Sequence, residues 1–257
     1  GLQFIWRQIA THAGPELAVT RVSGQLAGRL QIQELQYNTD EFTLAVEQLE
    51  IAWKPRGLLS GSLQFSEVRA TTVRYVQLAG TSEADSGQTG LPAITLPLRL
   101  RLDDLQVDSV DLVTTADGEA LQLRDVAIAA RASGAGVTLT SLSLAAPGLA
   151  LQGSASMELR DDYPLQGKLD WQWRDETLAP LSARTRLDGN LRHILLTQEF
   201  LPPYNVHAEL SLIDVLDTLQ IDGTLALQDS ALADIDNSWP ALRVSATFTL
   251  AGPLEQL

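Results

Sequence analysis

Two Asp-Asp pairs stand in this sequence, at Asp103-Asp104 and at Asp161-Asp162. Such pairs can divide acid and base work when their surroundings push the two pKa values apart. The second pair precedes Tyr163-Pro164 and reads as a turn. The first interrupts an alternating apolar pattern, which predicts a solvated pair. The histidines are His12, His193 and His207. His193 and His207 can approach each other if their strands pair, but a structural metal site needs further ligands. With no Cys there is no thiolate nucleophile, no Cys-based zinc site and no disulfide. Ser, His and Asp occur without a Gly-x-Ser-x-Gly elbow. Arg184, Arg186 and Arg192 read as a small surface cluster. The net charge of −14, from 18 Lys+Arg and 32 Asp+Glu, opposes nucleic-acid binding by phosphate neutralisation. The residue types therefore predict no catalytic centre, no metal, no cofactor and no nucleic acid.

What remains is the chemistry of methylene burial. The chain carries 46 Leu in 257 residues, is 45% hydrophobic but only 5% aromatic, and has no apolar run near the roughly 18 residues of a membrane-spanning helix. The leucines are patterned. From residue 17 onward apolar and polar residues alternate with period two, as in Leu44, Val46, then Leu49, Ile51, Trp53. Such alternation specifies strands with one apolar face. Turn signals such as Lys54-Pro55-Arg56-Gly57 and Leu201-Pro202-Pro203-Tyr204-Asn205 separate them. Residues 80–90 form a polar, low-complexity loop. Short helical turns are expected near residues 175–181 and 211–219. Trp171 and Trp173 share one sheet face and read as core.

Two repeats organise the strands. The first, apolar-x-apolar-x-x-apolar-x-apolar, occurs at Leu30-Ile32-Leu35-Tyr37, Leu44-Val46-Leu49-Ile51, Leu100-Leu102-Leu105-Val107, Leu121-Leu123-Val126-Ile128 and Val137-Leu139-Leu142-Leu144, with a weaker copy at Leu63-Phe65-Val68-Ala70. One extra residue would send the second half of a strand to the wrong face unless the strand bulges there. Repeated strand after strand, that break predicts a sheet bent along one line, a trough. The second repeat, apolar-x-Gly-x-Leu, centres on Gly24, Gly189, Gly223 and Gly252. Glycine within a strand marks a bulge or a close approach, and a repeated unit of this kind suggests a stacked array.

The expected fold is an elongated, twisted and bent antiparallel β-sheet, all-β, forming an open hydrophobic groove over residues 15–257. An amphipathic helix over residues 1–14 precedes it, with Leu2, Ile5, Trp6 and Ile9 on its apolar face and Gly14-Pro15 ending it. That helix serves either as a cap over one end of the core or as a membrane-proximal segment. The chain begins at Gly1 and stops while a strand pattern is still running, so an excerpt of a longer protein is expected. If the sheet closes on itself it is an ordinary sandwich or barrel. If it stays open, its apolar stripe exceeds what a soluble monomer exposes and calls for a ligand. Acyl chains suit it, at about 0.8 kcal/mol per buried methylene. The candidate lining residues are Leu30, Ile32, Leu44, Val46, Leu49, Ile51 and Trp53, then Leu63, Phe65, Leu100, Leu102, Leu105 and Val107, then Leu121, Leu123, Leu139, Leu142 and Leu144. A second possibility is a scaffold that holds unfolded strands of a client protein by edge pairing.

The opening segment, through Gly14-Pro15-Glu16-Leu17, Val19 and Val22-Ser23-Gly24-Gln25-Leu26, resembles the start of the periplasmic part of the TamB family, the translocation and assembly module subunits of the AsmA-like group of bridge-like lipid-transfer proteins. Leu49-Glu50-Ile51-Ala52-Trp53-Lys54-Pro55, Leu58-Leu59-Ser60-Gly61, Leu96-Pro97-Leu98 and Tyr163-Pro164-Leu165 continue the resemblance. It implies a long β-groove crossing the periplasm of a Gram-negative bacterium, anchored to the inner membrane by a helix upstream of Gly1. It further implies phospholipid movement between the two membranes, outer-membrane protein assembly with TamA through a distant C-terminal region, and no catalytic residues.

Overall fold

A computed structural model describes residues 16–25, 28–40, 42–78, 93–113, 120–175, 179–215, 219–236 and 238–253. The expected helix over residues 1–14, with Leu2, Ile5, Trp6 and Ile9, lies outside them. The strands are β1 (Leu17–Gly24), β2 (Arg29–Asn38), β3 (Phe42–Lys54), β4 (Ser62–Gln77), β5 (Leu96–Val113), β6 (Ala120–Gly134) and β7 (Gly136–Ala146). They continue with β8 (Leu149–Glu158), β9 (Leu165–Trp173), β10 (Leu181–Asn190), β11 (His193–Phe200), β12 (Val206–Ile213), β13 (Gln220–Ala231) and β14 (Arg243–Pro253). Among the described residues, helix is confined to a 3-10 turn at Pro55–Ser60 and one turn, α1, at Leu232–Ile235. The helical turn expected near 211–219 gives way, where described, to the end of β12 and the approach to β13. Leu181, the end of the other expected turn, opens β10.

Strand order in the sheet follows chain order from β1 to β14, and the order does not close. The alternation expected of an all-β, open sheet is therefore what the chain adopts. The β4–β5 pair departs from the antiparallel expectation. β4 and β5 run parallel, with Leu63 beside Leu100 and Val73 beside Val110. Parallel neighbours need a crossover rather than a hairpin, and residues 78–95 supply enough chain for one. The strands divide into two compact units, one with β1–β6 and the later part of β7, the other with the earlier part of β7 and β8–β14.

In the first unit the extra residue of the repeat has a physical address. The β1–β2 ladder passes from Thr20↔Glu34 to Val22↔Ile32, leaving out Arg21 and Gln33. The β2–β3 ladder leaves out Gln33 and Gln48, β4–β5 leaves out Thr71 and Asp108, and β5–β6 leaves out Asp108 and Asp125. The skipped residues fall in line across six strands, one per strand except in the β3–β4 ladder, where Leu49 and Ala70 beside Gln48 and Thr71 are also left out. Arg21, Gln48 and Asp125 on this line have φ near +50°, a left-handed conformation that L residues other than Gly, Asn and Asp seldom adopt. The skip keeps both halves of each strand facing the same way. Val46 and Leu49, Ala70 and Val73, Val107 and Val110, and Leu123 and Val126 all belong to one apolar cluster.

The repeats do not all mark this line. The copies on β2, β3 and β6 do. Those on β4 and β5 break earlier, nearer the start of each strand, where β4 gains a residue against β3 between Phe65 and Glu67 and β5 gains one against β6 between Leu102 and Leu105. On β1, β4 and β5 the shared line is carried instead by Val19-x-x-Val22, Ala70-x-x-Val73 and Val107-x-x-Val110. The single expected bend line is thus two break lines, because β4 and β5 are long enough to cross both.

The second unit alternates without a skip from β8 to β12. Its apolar face places Ala183, Ile194 and Ala208 in buried positions. Trp171 packs edge-on against Phe200, centroids 5.8 Å apart, and its Nε1 donates to the buried Thr185 Oγ1 at 3.2 Å. Of the four repeat glycines, Gly189, Gly223 and Gly252 lie on this face, while Gly24 ends β1 in the first unit. Gly189, with φ +133°, is the penultimate residue of β10, and a Cβ there would stand 2.2 Å from the His193 carbonyl oxygen. The backbone of the β10–β11 hairpin passes too close for any side chain.

Candidate functional site

Four apolar rows cross β2 to β6 on one face of the first unit. Reading each across the strands, they are Leu30, Ile51, Val68, Leu105, Ile128; Ile32, Leu49, Ala70, Val107, Val126; Leu35, Val46, Val73, Val110, Leu123; and Tyr37, Leu44, Tyr75, Leu112, Leu121. Neighbouring strands lie about 4.8 Å apart, so each row spans roughly 19 Å of aliphatic surface. Two further partial rows, Leu63, Leu100 and Phe65, Leu102, lie beyond the second break, with Trp53 opposite Phe65.

Among the described residues this surface is floored by a few buried side chains and otherwise half-buried. Val46, Ala70, Val107 and Val126 are buried, and Leu44, Leu49, Leu105, Leu123 and Leu144 pack against them only half-buried. Leu121 is 54% exposed. Only ten apolar side chains are buried among all the described residues. Contiguous half-exposed aliphatic surface of this kind marks an interaction site, for a protein, a membrane or a ligand. At one end an aromatic rung closes the rows, with Phe42 at 5.9 Å from Tyr37 and 5.4 Å from Tyr75. The Tyr37 hydroxyl donates to Glu16 Oε2 at 3.2 Å, and that hydrogen bond to a carboxylate raises the phenol's pKa above its ordinary value.

The candidate lining residues thus separate by unit. Those from Leu30 to Leu123 lie in the first unit, as do Leu142 and Leu144. Leu144 joins the cluster there. Leu139 lies in the second unit and borders a furrow of about 510 Å³ among Ser154, Lys168, Arg186 and Thr197.

The opposite face is polar and ionic. Arg29 bridges Glu50 at 3.4 Å and Glu67 at 2.6 Å, and Arg69 reaches Glu67 at 2.9 Å. Over the break line a furrow of about 540 Å³ opens among Arg21, Gln31, Gln33, Gln48, Arg69 and Asp108. Thr71 Oγ1 donates to Gln48 Oε1 at 2.9 Å within it. The two consecutive polar residues inside each repeat copy are its only signal in the sequence, and they read there as a break rather than as a furrow.

The residues considered for other chemistry are held apart or paired off. Asp103 sits at the β5 break and accepts from Arg101 Nε at 2.5 Å and Gln64 Nε2 at 2.7 Å. Those donors, Arg101 first, lower its pKa. Asp104 accepts from Gln106. His193 and His207 stand at opposite ends of the β11–β12 ladder, since His207 pairs with Glu199 and His193 with Ile213. Six residues of strand, roughly 20 Å, separate them, and no metal-holding cluster occurs among the described residues. Asp162 of the second carboxylate pair takes Arg192 at 2.6 Å across the turn. Arg184 and Arg192 are exposed. No helix among the described residues is long and apolar enough to cross a membrane.

A family model described as the N-terminal domain of TamB matches residues 1–113 and again residues 77–232. No curated protein and no solved structure matches.

Proposed function

This chain belongs to the TamB N-terminal domain family, and on that premise we propose that its apolar face carries phospholipid acyl chains as a non-enzymatic conduit between the inner and outer bacterial membranes. The observation that supports this reading is the half-exposed aliphatic surface of the first unit, four rows deep and five strands wide. Aliphatic contacts are tolerant of position. A chain lying on them exchanges one set of methylenes for another at little cost, whereas directed hydrogen bonds would hold it in place. Both tyrosine rings lie in the fourth, outermost row, so the other three rows offer an uninterrupted aliphatic path. Headgroups stay in solvent, since a chain of net charge −14 offers an anionic lipid no general attraction.

In this reading the parent protein lies in the bacterial envelope, facing the periplasm from an inner-membrane anchor and meeting TamA through a region distant from this one. The test is capture. Photo-crosslinking side chains placed at Leu49, Leu105 and Leu142 should couple to phospholipid in cells, while the same group at Arg69 or Gln106 on the polar face should not. Equal capture from both faces, or from neither, refutes the conduit.

The edge-pairing alternative has its own support. The strand order of the described residues does not close, and an open sheet edge can accept an extended strand. Charged wedges on the apolar face separate the two readings. If lipid transport survives them and outer-membrane protein assembly fails, edge pairing is the function.

A further inference from the structure

The 3-10 turn between β3 and β4 exposes apolar side chains that no core requires. Leu59 is 93% exposed and Leu58 44%. Gly61, at φ +66°, closes the turn by donating to the Leu58 carbonyl at 3.1 Å. The start of β5 is stapled to it, for Arg99 N donates to Gly61 O at 3.0 Å and Arg99 Nη2 donates to Ser60 O at 2.9 Å. Leu98, the residue before, is 37% exposed. The tip is therefore held in one shape with its leucines outward.

Charge at the tip opposes that of the chain. Residues 53–62 and 96–101 contain Lys54, Arg56, Arg99 and Arg101 and no Asp or Glu, although the whole chain has 32 acidic residues against 18 basic. Arg101 is engaged by Asp103, which Lys54 also approaches. Among the described residues no carboxylate forms an ion pair with Arg56 or Arg99. Protruding leucines ringed by cations are what an anionic bilayer surface accepts, the leucines entering the acyl boundary and the cations meeting phosphates. A protein partner would need a patch of some 800 Å² on each side, which three leucines on a convex turn do not supply.

We propose that the β3–β4 tip, with Leu58, Leu59, Arg56 and Arg99, is a docking point for an anionic lipid surface. This is a contact of the protein with a bilayer and stands whether or not the apolar face carries acyl chains. The chain has no Cys, so a Ser60→Cys substitution gives a unique thiol for an environment-sensitive dye at the tip. Flotation with vesicles of phosphatidylcholine containing one part in three phosphatidylglycerol should blue-shift the dye, and quenchers placed in the acyl region should dim it. Leu58→Ser with Leu59→Ser should remove the shift and weaken vesicle binding about ten-fold or more. Arg56→Gln should weaken binding about five-fold on anionic vesicles only. Leu195→Ser, an exposed leucine of the second unit, should change neither. The proposal is overturned if the dye does not shift on anionic vesicles, or if the shift survives removal of both leucines. Variants that abolish acyl capture on the apolar face should leave the shift intact, so failure of one idea is distinguishable from failure of the other.

Discussion

Consider a charged wedge on the apolar face, Leu49→Arg combined with Leu105→Arg. Leu49 pairs with Ile32, and Leu105 stands between Val68 and Ile128, so the two wedges lie on adjacent rows, two strands apart. A guanidinium on the face occludes about one strand spacing, roughly 4.8 Å or about four methylenes of an extended acyl chain. A chain on an open face loses contact with water on one side only, so each methylene gains about 0.4 kcal/mol, half its value when fully buried. Each wedge then costs about 1.6 kcal/mol, close to fifteen-fold in affinity. The sites are separated by about two strand spacings, far enough for their effects to add, and the pair should weaken acyl-chain binding by about 200-fold. Displacement of a fluorescent fatty-acyl probe from the purified chain measures this. Both leucines are half-buried, so some loss of stability accompanies the change, and long Arg side chains limit it by turning their heads to water. Circular dichroism and a thermal melt confirm that the sheet persists. If the folded double variant binds the probe within two-fold of the parent, acyl chains do not lie on these rows and the conduit reading fails.

Three further outcomes follow from the geometry. At Gln48, with φ +50° on the break line, Gly should give a more stable protein than Val by about 1–2 kcal/mol, the reverse of the ranking at an ordinary strand position; a denaturant titration of the two variants that favours Val would show that the line is not left-handed in solution. Gly189→Ala forces a Cβ to 2.2 Å from the His193 carbonyl at φ +133°, and a loss of about 2–4 kcal/mol should lower the melting temperature by roughly 5–15 °C. Asp103 has a lowered folded pKa because Arg101 and Gln64 donate to its carboxylate, so its contribution to stability is present above the ordinary carboxylate pKa and lost as pH falls through the lowered value. The stability gap between the parent and Asp103→Asn, measured by urea unfolding, should hold at neutral pH and close in strong acid; a gap constant with pH would assign Asp103 no ionised role.

Much of the first unit was legible because two-residue periodicity is a local property. Leu44, Val46, Leu49 and Ile51 announce a strand, and the doubled polar residues Glu47-Gln48 announce its break, without knowledge of any neighbour. The turn at Pro55–Ser60 was legible for the same reason, as Pro and Gly restrict or free the backbone locally. What was not legible depends on pairing. Repeat copies with the same spacing belong to different break lines, since β4 and β5 run parallel and extend past their neighbours. Leu139 shares a repeat with Leu142 and Leu144 yet falls in the other unit.

By itself, the sequence determined the fold class and the alternating faces within each strand half, because alternation and turn chemistry are written one residue at a time. Tertiary structure alone decided which strands are neighbours and in which direction, and so which skipped residues fall into line. It also decided that the leucines are floored by only a few buried side chains, and that Leu59 points away from all of them. Burial is the sum of contacts from residues far apart in the chain, and a leucine in the core and a leucine at an exposed tip have the same letter.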